Sequence, residues 1–218
     1  MAVLKIGVLI SGRGSNLQAL IDACAGDGFP AKIAVVISNK PDAYGLERAR
    51  LAGISTITVP HDTFSSREAF DQEVDRHLRE AGVKLVCLAG FMRLLSEQFV
   101  RGWKDRMINI HPSLLPSFKG LNTHARTLQA GVKIAGCTVH YVRPEMDEGP
   151  IIMQAAVPVL AGDSEENLAD RILVQEHLIY PAAVRLIAEG RVRVAGETCI
   201  ITGSGKNSGL SEALISPK

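Results

Sequence analysis

Along the chain, short apolar runs alternate with longer stretches in which apolar residues return at helical spacing. Val3–Ile10 reads as a buried strand, and Ser15–Ala25 as a helix with Leu17, Leu20, Ile21 and Cys24 on one stripe. Lys32–Ser38 is a second strand, Tyr44–Ala52 a helix closed by Gly53, and Ser55–Val59 a third strand stopped by Pro60. Ser66–Ala81 follows as a long helix closed by Gly82, then come strands at Lys84–Ala89 and Met107–Ile110. This rhythm predicts an α/β fold with a mostly parallel sheet, because parallel neighbours need a crossover helix between them. Past Gly120 the pattern changes. Thr123–Ala130 reads as a helix, and two longer strands, Ile134–Val142 and Ile151–Val159, flank a polar turn and are expected to pair antiparallel. Ser164–Glu189 reads as a long helix, with a weakened capping box at Ser164 and Asn167 and a stop at Gly190. Neither a repeat nor a linker interrupts the pattern, so residues 1–202 are expected to form one domain. The Gly- and Ser-rich segment 203–218 is expected to be a disordered tail.

Composition narrows the ligand class. With 218 residues, 46% of them apolar, the chain is long enough to bury roughly 70% of its unfolded surface without staples. Lysine and arginine number 24 against 23 acidic residues, so no overall field favours a nucleic acid, and small-molecule substrates are expected. Cys24, Cys87, Cys137 and Cys199 form no C-x-x-C pair, which speaks against a zinc site or a disulfide framework, and no metal is expected. No apolar stretch approaches the roughly 18 residues of a membrane span, and the N-terminus lacks a basic region leading into an apolar one. A cytoplasmic protein that does not act at a membrane is therefore expected. Oligomeric state is not legible, since an apolar stripe looks the same facing a core or a partner; a homodimer remains open.

Candidate chemistry concentrates at residues 107–118, Met-Ile-Asn-Ile-His-Pro-Ser-Leu-Leu-Pro-Ser-Phe. A strand runs into Asn109 and His111 and is stopped by Pro112, with Pro116 continuing the loop. Residues two apart in a strand face the same way, so two hydrogen-bonding groups are aimed at one spot. In a parallel sheet that spot lies outside the carboxyl ends of the strands, where ligands gather.

A second element, Ser11-Gly12-Arg13-Gly14-Ser15-Asn16, follows a strand and opens a helix, the placement at which backbone N–H groups hold a phosphate. A dinucleotide site would want a third glycine where Leu17 stands and an acid where the second strand ends in Ser38-Asn39-Lys40. A P-loop would want Gly-Lys-Ser or Gly-Lys-Thr. What remains is a site for one terminal phosphate, or merely a tight turn with Ser15 as a helix cap. Asp147, in the stiff turn Met146-Asp147-Glu148-Gly149-Pro150, would favour imidazolium if it approached His111; on its own it could equally be a surface turn residue. Ser113 suggests a hydrolase triad, but no nucleophile elbow exists in the chain. His61, His77, His140 and His177 read as structural histidines, while His124 could line a site or cap a helix.

Taken with Leu-Ala-Gly-Phe-Met-Arg at 88–93 and Asp-Glu-Gly-Pro-Ile-Ile at 147–152, these motifs make the chain resemble the phosphoribosylglycinamide formyltransferases from about residue 3 to residue 195. The resemblance implies a Rossmann-like twisted sheet with helices on both faces and an antiparallel C-terminal portion. It also implies transfer of a formyl group from 10-formyltetrahydrofolate, as co-substrate, to the amine of glycinamide ribonucleotide. Position by position, Asn109, His111 and Asp147 match the catalytic trio, and Gly14, Ser15 and Asn16 the phosphate turn. Arg67, Met92, Arg93, Leu94, Leu95, Asn109, Arg143, Pro144, Glu145, Met146 and Asp147 match positions around the folate, and Glu176 a contact to the glycinamide substrate. The chain departs from the family at Leu173, where relatives carry Lys or Gln, so the contact at that end is expected to be reduced or supplied elsewhere. The implied chemistry is direct attack through a tetrahedral intermediate, with Asn109 and His111 stabilising its oxyanion and Asp147 mediating proton transfer.

Related activities are expected to need more chain: a basic C-terminal domain for a methionyl-tRNA formyltransferase, an N-terminal regulatory domain for a formyltetrahydrofolate hydrolase. A non-catalytic folate- or nucleotide-binding module would keep the Gly12 turn without needing Asn109, His111 and Asp147 together.

Overall fold

The computed structural model describes residues 3–203; the segment expected to be a disordered tail lies, from residue 204 onward, outside the described residues. The first half runs β1 (Leu4–Ile10), α1 (Ser15–Ala25), β2 (Ala31–Ser38), α2 (Tyr44–Leu51), β3 (Thr56–Thr58), a 3-10 turn (His61–Thr63), α3 (Arg67–Glu80), β4 (Leu85–Leu88), α4 (Glu97–Gly102) and β5 (Met107–His111). The second runs α5 (Thr123–Gln129), β6 (Ile134–Tyr141), β7 (Ile151–Pro158), α6 (Glu165–Ala188), β8 (Val192–Ala195) and β9 (Thr198–Ile201). Seven strands form one sheet in the order β3-β2-β1-β4-β5-β6-β7. β1 pairs parallel with β2 and β4, β2 with β3, and β4 with β5, while β6 and β7 pair antiparallel, as the periodicity predicts. Chain order reverses between β1 and β4, the switch point at which open α/β sheets leave a crevice for ligands.

α4, β8 and β9 have no counterpart in the hydrophobic pattern. α4 is only six residues long and is held by a Ser96 cap and by burial of Phe99 and Val100, too short to show a period. β8 and β9 form a separate antiparallel pair whose burial only partly alternates.

The described residues divide into two compact units, 3–109 with 141–144, and 110–140 with 145–203. In the first, Leu9, Val35, Ile37, Val86 and Met107 from the strands pack with Phe70, Val74 and Leu78 of α3 and with Trp103. Trp103 is 1% exposed, and its indole Nε1–H still reaches Asp75 Oδ1 at 2.8 Å, which removes the cost of burying that donor. In the second unit, α6 lies on β7 and buries Leu168, Ile172, Ile179, Tyr180 and Val184. Gly136 lets β6 and β7 close up, since a Cβ there would stand 2.0 Å from the Ala155 carbonyl oxygen.

The turn entering α6 is tied by Asp163. Its carboxylate takes two 2.8 Å bonds from the Arg171 guanidinium and a third, also 2.8 Å, from the Leu160 N–H. These bonds, the guanidinium's foremost, hold the carboxyl at about 2 instead of 3.8. Because the folded value is depressed, this contribution is complete above about pH 4 and disappears as the pH falls toward 2. With Arg171 partly solvated it amounts to about 1 kcal/mol. Asp163→Asn is expected to lower stability by that amount at neutral pH and to remove the pH dependence between about 4 and 2, as read by urea unfolding. An unchanged acid limb would show that the pair contributes nothing.

Candidate active site

In the first unit the glycine turn leaves β1 and feeds α1. Gly14 is the N-cap, at φ 72°, and no side chain caps the helix. Ser15 is therefore the first helical residue and not the cap. The first turn of α1 contains no acidic residue, so its N–H groups and positive dipole end are not neutralised locally. Glycine is required here for two reasons. The left-handed conformation suits it, and a Cβ would come within 2.6 Å of the Gly45 Cα at the start of α2. Gly45 N–H closes the turn on the Gly12 carbonyl at 3.0 Å, and Arg48 Nε holds the Arg13 carbonyl at 3.0 Å. The result is a fixed turn at the N-terminal end of α1, the placement at which backbone N–H groups can meet an anion.

The segment after β4 lies in the same unit. Met92 and Leu94 are 68% and 56% exposed, Arg93 and Leu95 half-buried. The Arg93 guanidinium stacks 5.1 Å over the Phe70 ring, and its buried Nε has no hydrogen-bond partner. Arg67, exposed at the start of α3, and Arg93 both act electrostatically on Asp71. Burial is the larger influence there and pushes the Asp71 carboxyl above its usual range. Arg67 and Arg93 thus both lie near Asp71, and Arg93 is flanked in sequence by the exposed Met92 and Leu94. Arg143, also in this unit, donates from Nη2 to Asp105 Oδ1 at 2.8 Å and is nearly buried; Pro144 beside it is exposed.

β5 carries Asn109 and His111 with one residue between them, the spacing that turns both to one face. Within the second unit, His111 Nδ1 stands 3.5 Å from Asp147 Oδ2, and the two side chains are 7% and 11% exposed. The same carboxylate oxygen accepts the Gly120 N–H at 2.7 Å. His111 Nε2 lies 3.1 Å from the Phe118 carbonyl oxygen, so both ring nitrogens face acceptors. Phe118, Asn122 and Asp147 have φ near 54° and Gly120 has φ 79°, a concentration of left-handed backbone around one histidine. Glu145 and Met146, preceding Asp147 in its turn, are exposed.

Thr138 holds the loop after His111 in place. Its hydroxyl, 0% exposed with the rest of the residue, donates to the Ser113 carbonyl at 2.7 Å and accepts from Leu115 N–H at 3.1 Å. The Ser113 hydroxyl donates to the Ser117 carbonyl at 2.7 Å, so it closes its own loop instead of serving as a nucleophile. Burial likewise pushes the Cys137 thiol up to about 12, far from a thiolate at neutral pH.

One residue that sequence reasoning set aside belongs here. His140 reads as a structural strand histidine, yet its Nε2 stands 4.0 Å from Asp147 Oδ1. The β6–β7 register shifts between Val139 and His140, and such bulges re-aim a side chain in a way that alternation cannot reveal. His124 sits at the second position of α5, and burial, with His111 a lesser cause, pushes its imidazole below the usual value. Glu176 is 6% exposed on α6 near Cys137, and Leu173, one turn earlier, is half-buried. Among the described residues, no group of three or more His, Cys, Asp or Glu is arranged to hold a metal ion, and no helix is long and apolar enough to cross a membrane.

The formyl transferase family matches residues 4–184, running through both units. The phosphoribosylglycinamide formyltransferase of Escherichia coli is 50% identical over 191 residues, covering 88% of this chain and 90% of the relative. The trifunctional purine biosynthetic protein adenosine-3 of Bos taurus is 51% identical over 91% of this chain. The chain spans only 14% to 20% of the length of the trifunctional relatives of this kind from flies, cattle, chicken and human. Among solved structures, glycinamide ribonucleotide transformylase 1 from Symbiobacterium toebii superposes with a TM-score of 0.90 at 53% identity, covering 91% of this chain and 94% of that one.

The geometry of the glycine turn makes a direct prediction. Gly14→Ala should weaken binding of inorganic phosphate, measured by calorimetry, at least about tenfold while the far-ultraviolet circular dichroism is unchanged. Equal affinity in the two proteins would exclude the turn as an anion cradle.

Proposed function

As the chain belongs to the formyl transferase family, we propose that it transfers the formyl group of 10-formyltetrahydrofolate to the amine of glycinamide ribonucleotide in purine biosynthesis. The observation that carries this reading is the buried Asp147 carboxylate, held by the Gly120 N–H at 2.7 Å and facing His111 Nδ1 at 3.5 Å. Such a pair fixes the orientation of an imidazole and so aims its other ring nitrogen, which is what an electrophile-stabilising donor needs.

Roles follow from chemistry. The folate co-substrate supplies the formyl group and the nitrogen that leaves. Asn109 and His111 donate to the formyl oxygen, which gains negative charge as the amine attacks. His111 Nε2–H, oriented by the Phe118 carbonyl at 3.1 Å, exchanges that acceptor for the developing oxyanion. Asp147 keeps the imidazole in place and mediates proton transfer from the attacking nitrogen to the leaving one, through water. No covalent nucleophile is required, in keeping with the internally bonded Ser113 hydroxyl and the protonated Cys137 thiol.

The turn at Gly14, Ser15 and Asn16 takes the substrate phosphate on its backbone N–H groups, and Glu176 contacts the glycinamide end. The surface around Arg67, Met92, Arg93, Leu94 and Leu95 fits a ligand with an aromatic body and carboxylates, as a folate has: exposed apolar side chains stand beside a guanidinium whose Nε is buried without a partner. Arg143 through Asp147 complete the folate contacts.

His111→Ala and Asp147→Ala are each expected to lower kcat by about a hundredfold to a thousandfold, in line with the loss of one oxyanion donor, with thermal midpoints close to that of the parent. The assay is formyl transfer to glycinamide ribonucleotide followed by absorbance of the folate product. Near-normal turnover of Asp147→Ala would overturn the mechanism. Tight folate binding by a parent protein without turnover would favour a binding module.

A further inference from the structure

Ser11 stands where two binding elements of the first unit meet, and its hydroxyl is committed to both. Its N–H donates to the Gly90 carbonyl at 3.1 Å, joining the end of β1 to the segment that leaves β4. Its Oγ accepts the Met92 N–H at 2.7 Å and donates to Asn39 Oδ1 at 2.6 Å. The directions are determined: a backbone N–H can only donate, so the hydroxyl proton is left for Asn39. That orients the Asn39 amide, whose Nδ2 then stands 3.3 Å from His61 Nδ1 in the 3-10 turn. Ser11 and Asn39 are 6% and 2% exposed, so these bonds form away from water, where a missing partner is costly.

The segment between β4 and α4 has no strand ladder or helix to hold it. At its start Ala89 N–H reaches the Leu9 carbonyl at 2.9 Å, and at its end Ser96 N–H reaches Asp71 Oδ2 at 2.6 Å. Between them the Met92 N–H is tied to Ser11, next to the exposed Met92 and Leu94 side chains. Without that tie, a ligand binding this segment would itself have to order it. Ser11 is also the first residue of the turn whose glycines form the anion cradle.

We propose that Ser11 is a positioning residue for both substrates: one buried hydroxyl holds the folate-side segment at Met92 and anchors the start of the phosphate turn through Asn39. The inference rests on the formyl-transfer reading above. A residue that merely stabilised the fold would lower the thermal midpoint and leave the Michaelis constants unmoved. A positioning residue raises both KM values with little change in kcat, because the reacting groups are untouched.

The test compares the parent with Ser11→Ala and Ser11→Thr in initial-rate kinetics and in amide hydrogen exchange at Met92. Ser11→Ala is expected to raise KM for each substrate at least about fivefold, keep kcat within about threefold and speed Met92 exchange at least about tenfold. Ser11→Thr, which keeps the hydroxyl, is expected to bring both KM values back to within about twofold of the parent. Unchanged KM values in an active Ser11→Ala protein would overturn the proposal. So would a loss confined to kcat, a Thr variant as impaired as the Ala variant, or a Met92 amide that exchanges as fast in the parent as in Ser11→Ala. If Ser11→Ala does not fold, Asn39→Ala removes the acceptor of the same hydroxyl and is judged by the same readouts. A parent without formyl transfer would refute the functional reading alone, and fluorescence titration with folic acid together with Met92 exchange would still decide the role of Ser11.

Discussion

The Asp147 carboxylate is the interaction around which the second unit is arranged. A carboxylate that is only 11% exposed is expensive to bury alone, and here its charge is answered by the Gly120 N–H and by the His111 ring. Meeting that requirement explains much of the local backbone. Gly120, at φ 79°, donates its N–H to Asp147, and Asp147 itself adopts φ 53°, a conformation a short polar side chain tolerates. Within the loop from Pro112 to Ser117 the Ser117 N–H reaches the Leu114 carbonyl, while the Ser113 carbonyl and the Leu115 N–H are answered by buried Thr138 on β6. His140, at the register shift in the same strand, presents a second imidazole to the far oxygen of Asp147.

In the first unit the governing constraint is the reversal of strand order between β1 and β4. The two strands lie side by side but send their chains in opposite directions, so the segments after them share one crevice. Glycine at position 14 leaves room for the Gly45 backbone, and Ser11 joins the two segments by a side chain. The helix that begins there has no side-chain cap and no acid in its first turn, which is unfavourable for the isolated helix.

The elements that were legible from hydrophobic spacing are those whose signal is local. α1 begins and ends where the apolar stripe does, and α6 starts at its Ser164 cap and stops before Gly190. α4 was hidden because six residues hold less than two turns of pattern and its stability comes from burying Phe99 and Val100. The strand carrying Asn109 and His111 was readable because alternation sets which face a residue takes. The standing of Ser113 was not, since only the fold shows its hydroxyl closing on Ser117. The bulge that turns His140 toward Asp147 leaves no trace in alternation. Nor could Ser11 be singled out, because its partners lie 28 and 81 residues away.

The central claim is that His111, Asn109 and Asp147 assist a direct transfer, with no group of the protein carrying the formyl unit in between. The most direct measurement is the initial rate with both substrates varied, together with the release of tetrahydrofolate when glycinamide ribonucleotide is withheld. Direct transfer gives reciprocal plots that converge and no tetrahydrofolate without the amine. Parallel plots with a burst of tetrahydrofolate in the absence of the amine would reveal a formylated protein and contradict the account.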